Sequence, residues 1–392
     1  MSKEVFIVDG IRTAIGNFGG TLAPVRADDL AAHAIKALLD RHPELDLSLI
    51  EDVIMGCANQ AGEDNRNVAR MASLLAGVPF AAGGETVNRL CASGMAAANN
   101  AARAIKDGAG DLYIAGGVEH MTRGPWVISK TSSAFGRDAQ MFDSSFGWRF
   151  INPKMEELYG VDGMGQTAEN LVELYGIERA AQDRFSAWSQ EKATKAREAG
   201  YFKGEIAPVL IPQRKKDPIC FENDEFIRPE TTIDTLSALR PAFKKDGSVT
   251  AGSASGLNDG AAALVLMSKK KAEKLKLTPL AKIIGFADAE QEPAWFTTTP
   301  TVAVPKAIRM AGLIKEEVDL FEVNEAFAVV PLAFEKLLEE LMDDELKKLL
   351  EDLEKLFQQN DKEQIKDKME ELNQSSEDMK KHLDRSLEML KK

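Results

Sequence analysis

Val87-Asn88-Arg89-Leu90-Cys91-Ala92-Ser93-Gly94-Met95 ends a short β-like run at a cysteine, and Ala96-Ala97-Ala98-Asn99-Asn100-Ala101-Ala102-Arg103-Ala104-Ile105 continues as an alanine-rich helix. A strand that turns directly into a helix sets the Cys91 thiol at a helix N-terminus. Unpaired backbone N–H groups and the macrodipole there favour a thiolate. Ser93 and Gly94 are small, so another molecule's backbone or thioester can approach the sulfur closely.

Outward from this stretch, strand patterns alternate with helix patterns. Residues 4–9 read as a buried strand, Ile50 to Met55 as a second, and Asp111 to Gly117 as a further strand closing on a glycine turn. Between them, Asp28 or Asp29 caps a helix through Leu39, Val68 to Leu75 forms another, and Gly108 ends the helix after Cys91. This alternation predicts an α/β layered fold. The glycines of Arg12-Thr13-Ala14-Ile15-Gly16-Asn17-Phe18-Gly19-Gly20 fit no phosphate-loop spacing and read as turn points.

From 121 to 245 the pattern loosens. Trp126, Phe135, Phe142, Phe146, Trp148 and Phe150 show no clear period, which suits either a loop domain covering a ligand or a small satellite core. Within it, Met164-Gly165-Gln166-Thr167-Ala168-Glu169-Asn170 opens a helix through Tyr175 with Thr167 as a cap, and a second helix runs from Arg179 to Ala199. Val249 to Gly260 is poor in side-chain bulk, so a ligand can lie against its backbone; close helix-to-sheet packing reads equally well. Beyond it, residues 280–288 begin a strand, Val302 to Ala311 a helix, and Val318 to Val323 a strand running into Asn324-Glu325-Ala326-Phe327-Ala328. That order repeats the opening, as in a second half built like the first.

The net charge of −13 excludes a dominant basic surface and with it a nucleic-acid-binding role. Three widely spaced cysteines (Cys57, Cys91, Cys220) are too few for a disulfide framework or a zinc ribbon and suit a reducing, cytoplasmic compartment. No signal-peptide core precedes the first strand, and no apolar run approaches the roughly 20 residues of a membrane span.

Asn88-Arg89-Leu90-Cys91-Ala92-Ser93-Gly94, Met164 to Asn170, Thr250 to Ala261 and Asn324 to Ala328 together resemble the thiolases, the acetyl-CoA C-acyltransferases, continuously from about residue 3 to 336. Gly147-Trp148-Arg149-Phe150-Ile151-Asn152-Pro153 looks like the degradative branch, including thiolases of the 3-oxoadipyl-CoA type. The resemblance implies a layered α/β/α/β/α fold, with 1–120 and 246–270 as the N-terminal half, 121–245 as a CoA-holding loop domain, and 271–336 as part of the C-terminal half. It implies that Cys91 carries the acyl group as a thioester and that Asn324 helps hold a water in an oxyanion hole. It also implies that Ser255 and Ala251 line the pantetheine channel, that Met164, Leu239 and Phe243 form its apolar wall, and that Arg228 lies near the adenine and phosphate end. No metal or resident cofactor is implied. Acyl-CoA and CoA are the expected substrates, nucleic acid and membrane are not expected as partners, and the expected assembly is a homodimer or homotetramer.

The family's catalytic base and acid come from a Gly-His-Pro segment and a Cys-x-Gly-Gly-Gly segment, and neither occurs in the 392 residues. The histidines are His33, His42, His120 and His382, none in a glycine-rich setting, and no cysteine follows Cys220. Residues 337–392 contain no Gly or Pro. Leu346, Leu349, Leu353 and Leu356, then Ile365, Met369 and Leu372, and later Met379, Leu383, Leu387 and Leu390 fall at helical spacing, with a turn at Gln358-Gln359-Asn360-Asp361. This tail reads as a helical hairpin or an interrupted coiled coil joined to a truncated second half, a chimeric arrangement that leaves an apolar face uncovered unless the tail or a partner covers it. The expected function is thiolytic cleavage of 3-oxoacyl-CoA to acetyl-CoA and a shortened acyl-CoA, or its reverse, in a chain that is inactive or impaired. The competing reading is a CoA-binding or assembly protein that uses the tail for interaction.

Overall fold

The computed structural model describes residues 3–338. In chain order the strands are β1 (Val5–Arg12), β2 (Gly16–Asn17), β3 (Asp52–Gly56), β4 (Gly83–Val87), β5 (Leu112–His120), β6 (Trp126–Ile128), β7 (Met141–Asp143), β8 (Val209–Gln213), β9 (Lys216–Phe221), β10 (Asn258–Ser268) and β11 (Ala281–Ile283). The helices are α1 (Ala27–Asp40), α2 (Val68–Leu75), α3 (Ser93–Asp107), α4 (Pro153–Tyr159), α5 (Met164–Tyr175), α6 (Arg179–Glu198), α7 (Ile233–Ser237), α8 (Lys269–Leu275) and α9 (Pro300–Ala311), and residues 329–338 are also helical.

One mixed sheet runs in the order β11-β1-β10-β5-β3-β4, with β2 on β10. Strands β5, β3 and β4 are parallel, whereas β10 is antiparallel to both β5 and β1. Successive side chains on a strand face opposite sides, and that period sorts the core. Val53, Met55, Leu112, Ile114, Ala263 and Val265 pack with α1 and α2, while Ile54, Tyr113, Ala115 and Leu266 pack with α3 on the other face. A fully buried Leu or Ile stabilises by roughly 1.5–3 kcal/mol, so Leu30, Ile35 and Leu38 of α1 fix that helix to the sheet. A third cluster joins Ala168 and Leu171 of α5 to Val249, Phe327, Val330 and Ala333.

Several local expectations are corrected. Gly116 and Gly117 lie inside β5, not in a turn. A side chain at Gly116 would strike the Ala262 carbonyl of β10, so glycine permits the strand pairing there. Helix α1 begins at Ala27 after Arg26, and Asp28 and Asp29 occupy its first turn rather than its cap. Helix α5 begins at Met164, and Thr167, one turn in, donates its hydroxyl to the Met164 carbonyl. The strand expected over 280–288 is limited to β11, which adds to the first sheet beside β1. Residues 318–323 form no strand, because no neighbouring strand among the described residues offers them a ladder. The aromatic segment after residue 121 is no satellite core: Phe18 and Phe146 meet at 5.3 Å and Phe142 and Phe150 at 5.0 Å, but none of the six aromatic side chains named from it is buried. No helix among the described residues is long and apolar enough to cross a membrane. The reading of the tail, with His382, lies outside the described residues.

Candidate active site

The parallel strands β3, β4 and β5 end on the same side of the sheet, and the loops that follow them meet there, as in other α/β sheets with ligand crevices at strand C-termini. After β4, Asn88 Oδ1 accepts from Leu90 N at 2.9 Å and Asn88 Nδ2 donates to Ala58 O at 3.0 Å. Leu90 then adopts φ +51°, a left-handed conformation that costs a branched residue about 1–3 kcal/mol. Ser93 closes the turn: its Oγ accepts from Arg89 N at 2.8 Å and donates to Leu90 O at 2.6 Å. Cys91 is displayed, exposed, between the strained residue and the first turn of α3.

Small residues make this placement possible. A side chain on Gly56 would collide with the Ser93 and Gly94 backbone, and one on Gly117 would come within 3.0 Å of Gly56 O. The start of α3 therefore lies directly on the ends of β3 and β5. Arg103 of α3 donates to Asp288 at 2.6 Å and its guanidinium covers the Phe286 ring at 4.8 Å, so the segment after β11 lies along the same helix. Arg89, beside the cysteine, reaches Glu290 at 3.6 Å and Asp288 at 3.8 Å.

Several other titratable groups are tied into the scaffold. Burial, with the Glu119 and Asp64 charges, pushes the Cys57 thiol far up and keeps it protonated. Burial likewise raises the Glu119 carboxyl, partly offset by the N–H groups of Ala58 (2.8 Å) and Asn59 (3.2 Å). His120 Nε2 donates to Leu22 O at 3.1 Å, and its Nδ1 lies 3.3 Å from Asp259 Oδ1 in poor hydrogen-bond alignment. His42 sits between Asp9 (2.8 Å) and Glu44 (3.0 Å), and the buried Nε2 of His33 has no hydrogen-bond partner. No hydrogen bond joins these three histidines to the Cys91 turn. Among the described residues no group of three or more His, Cys, Asp or Glu could hold a metal ion.

The residues expected around CoA form one linked surface. Thr250 to Ser253 makes a turn, and the chain then pairs with the Asn324 loop: Ser255 N donates to Ala326 O at 3.0 Å, and Ala328 N to Ser253 O at 2.8 Å. Ser255 and Asn324 are thereby held on adjoining segments. Phe243 presses on Gly165, next to Met164, and Leu239 presses on Gly252, next to Ala251. The Phe226 ring lies on Gly256, and the Arg228 guanidinium lies 5.1 Å from that ring's centre. Met164, Leu239, Phe243, Ala251, Ser255, Arg228 and Asn324 are all exposed. No hydrogen bond, ion pair or ring contact among the described residues joins the Cys91 turn directly to Ser255 or Asn324.

The thiolase N-terminal domain family matches residues 5–270, and the thiolase C-terminal domain family matches residues 277–348. The chain belongs to the thiolase family. The 3-oxoadipyl-CoA/3-oxo-5,6-dehydrosuberyl-CoA thiolase of Escherichia coli K12 is 52% identical over 330 residues, covering 84% of this chain and 82% of that protein. The beta-ketoadipyl-CoA thiolase of Pseudomonas aeruginosa is 53% identical over 333 residues, covering 85% and 83%. The crystal structure of the Bacillus anthracis acetyl-CoA acetyltransferase superposes with a TM-score of 0.78 at 40% identity, covering 86% of this chain and 84% of that one. This thiolase's fold is therefore the family's α/β fold.

Some residues of this thiolase's surface escape sequence reasoning. Glu325 accepts from Ser189 Oγ at 2.5 Å and lies 3.8 Å from Lys192, which ties the Asn324 loop to α6. Phe327 packs on Phe243, and Phe226 lies on Gly256. Phe327 belongs to a motif, so its presence was visible but its partner was not. Ser189, Lys192 and Phe226 carry no sequence signal.

Proposed function

We propose that this chain is a thiolase-type acyltransferase that acts on 3-oxoacyl-CoA, with Cys91 as nucleophile, and that its turnover is impaired. The reading is carried by the Cys91 turn, in which a strained Leu90 and the Ser93 hydroxyl present the thiol at the end of β4 in a chain that matches the thiolase family.

In the proposed reaction the Cys91 thiolate attacks the C3 ketone and forms a carbon–sulfur bond. The C2–C3 bond then breaks, its electron pair leaving as the enolate of acetyl-CoA, which takes up a proton. The acyl group stays on sulfur as a thioester until the thiolate of a second CoA attacks it and releases Cys91. Charge on the tetrahedral and enolate oxygens needs fixed donors, the role we give to Asn324 through a bound water. Met164, Leu239 and Phe243 would take the pantetheine arm, Ala251 and Ser255 would lie along it, and Arg228 would pair with phosphate as guanidinium groups do. Thiol deprotonation and enolate protonation need a base and an acid, and the family's two segments for them are absent from the sequence. A missing general acid or base costs about 10²–10⁴-fold.

The relatives named above favour a 3-oxo dicarboxylic acyl-CoA as substrate. We further propose a cytoplasmic homodimer or homotetramer; β4 is the last strand of the sheet, and its outer edge has no partner among the described residues. The test is CoA-dependent cleavage of 3-oxoadipyl-CoA, with mass spectrometry of the acyl adduct. The proposal expects slow or absent turnover and an adduct on Cys91 that Cys91→Ala abolishes. Turnover at a normal thiolase rate overturns the impairment, and an adduct that persists in Cys91→Ala overturns the nucleophile.

A further inference from the structure

The acyl group that 3-oxoadipyl-CoA would leave on Cys91 is succinyl, whose free carboxylate lies two methylenes beyond the thioester carbon. Burying that carboxylate is costly unless a cation meets it. Four arginines stand on the loops that meet near the Cys91 turn, and they differ in what already occupies them. Arg66, on the loop after β3, has no ion pair among the described residues but is exposed to water, where a carboxylate gains little from a cation. Arg89 lies within ion-pair distance of Asp288 and Glu290. Arg123 is held by Glu63, through Nε at 2.6 Å and through Nη2. Arg149 is half-buried, its Nη1 donates to Ser144 O at 2.9 Å, and no carboxylate among the described residues pairs with it.

A chain of direct contacts connects Arg149 to the nucleophile's turn. Leu90 N donates to Asn88, Asn88 Nδ2 donates to Ala58 O, and the next residue, Asn59, donates to the buried Ser144 Oγ at 2.9 Å. Arg149 then caps the Ser144 carbonyl. The turn that carries it is left-handed on both sides, relaxed at Gly147 (φ +51°) and strained at Phe150 (φ +50°). A left-handed aromatic residue is a genuine outlier that persists where surrounding structure enforces it. Phe150 is pinned edge-to-face on Phe142, so the backbone presenting Arg149 is fixed.

We infer that Arg149, a half-buried guanidinium without a carboxylate partner among the described residues and linked through Ser144 and Asn59 to the Cys91 turn, is the specificity-determining residue that receives the terminal carboxylate of a dicarboxylic acyl group. Its planar fork can take a carboxylate with two parallel N–H bonds, geometry that lysine lacks. Arg89 and Arg123 would have to surrender a partner to do the same. The inference rests on the acyl-CoA reading above and adds the substrate's distal end to it.

The experiment is isothermal titration calorimetry of the full chain with succinyl-CoA and with butyryl-CoA, which has the same four-carbon chain without the carboxylate. The wild type, Arg149→Met, Arg149→Lys and Arg89→Met are compared. The expected result is a preference for succinyl-CoA of about 10-fold or more in the wild type. It falls to near unity in Arg149→Met and recovers in part in Arg149→Lys, while butyryl-CoA affinity stays constant and certifies the fold. An unchanged preference in Arg149→Met, or a preference lost only in Arg89→Met, overturns the assignment while leaving the acyl-CoA site standing. Failure of either ester to bind any variant overturns the acyl-CoA reading and this inference with it.

Discussion

Phe243 and Phe327 meet edge to face, with ring centres 5.7 Å apart and planes at 87°. The first stands on the loop before the Thr250 turn, and the second is the aromatic residue of the Asn324 loop, so one ring pair joins two of the surfaces expected around CoA. Such a pair couples by about 0.5–1.5 kcal/mol beyond the area it buries. A double-mutant cycle with Phe243→Ala and Phe327→Ala, read by urea unfolding, should return a coupling of that size. Phe327→Ala alone should cost about 3–5 kcal/mol, since Phe327 is 5% exposed within the α5 cluster. Additive single effects would show that the rings are neighbours without being partners.

Gly56→Ala should damage the nucleophile from beneath. The new methyl meets the Ser93 and Gly94 backbone rather than a movable side chain, so α3 must lift or β3 must shift. Overpacking of this kind costs about 1–3 kcal/mol. Labelling of Cys91 by an acyl-CoA should slow more than the loss of stability explains, because the Leu90–Ser93 turn rides on that contact. Equal labelling rates in the two folded proteins would refute the link.

Thiol chemistry should separate the cysteines. Cys57 is buried and held protonated, so iodoacetamide should leave it untouched until the protein unfolds. Cys91 is exposed and should alkylate in the native state, and prior incubation with acetyl-CoA should protect it. Peptide mapping at a series of urea concentrations reads both. Native-state alkylation of Cys57 at the Cys91 rate would contradict the burial.

Glu119 should make stability fall as pH rises. Burial holds its carboxyl above the ordinary value of 4.5, so the native protein keeps a proton that the unfolded chain has already lost. Between 4.5 and the raised native value the native state binds more protons, and stability therefore declines with increasing pH and then levels off. Glu119→Gln should remove that decline, seen as a flatter urea midpoint from roughly pH 4 to 7. Asp52 and Asp64, also raised by burial, remain in both proteins and cancel in the difference. Parallel curves would refute the assignment.

Much of the fold was legible because its signals are local. The period that separates Val53 and Met55 from Ile54 is written in consecutive residues, and Gly108 ends α3 in the left-handed conformation that glycine favours. The setting of Cys91 was legible for the same reason. Gly116 and Gly117 were misread because a glycine pair inside a strand and one in a turn look alike until the Ala262 carbonyl pressing on the first is known. Strand potential over 318–323 came to nothing for lack of a ladder, which no local pattern reports. Arg149 was visible only as a letter in a motif. Its interest comes from having no carboxylate partner among the described residues, a property of residues distant in the chain.

Strand β10 lies between β1 and β5, yet it follows β5 in the chain by the whole stretch from Met121 to Leu257. During synthesis β1 and β5 therefore leave the ribosome with no central partner, and their facing edges stay open until Ser268 has been made. Pairings of such long range form slowly, and open edges invite association with other chains. The thiol of Cys91 is translated early but set in place late, because the sheet beneath its helix closes only when this last central strand slides in. A pulse-labelled nascent chain halted before residue 258 should be recognised by chaperones and cut by protease within α3, and the full chain, once released, should resist both.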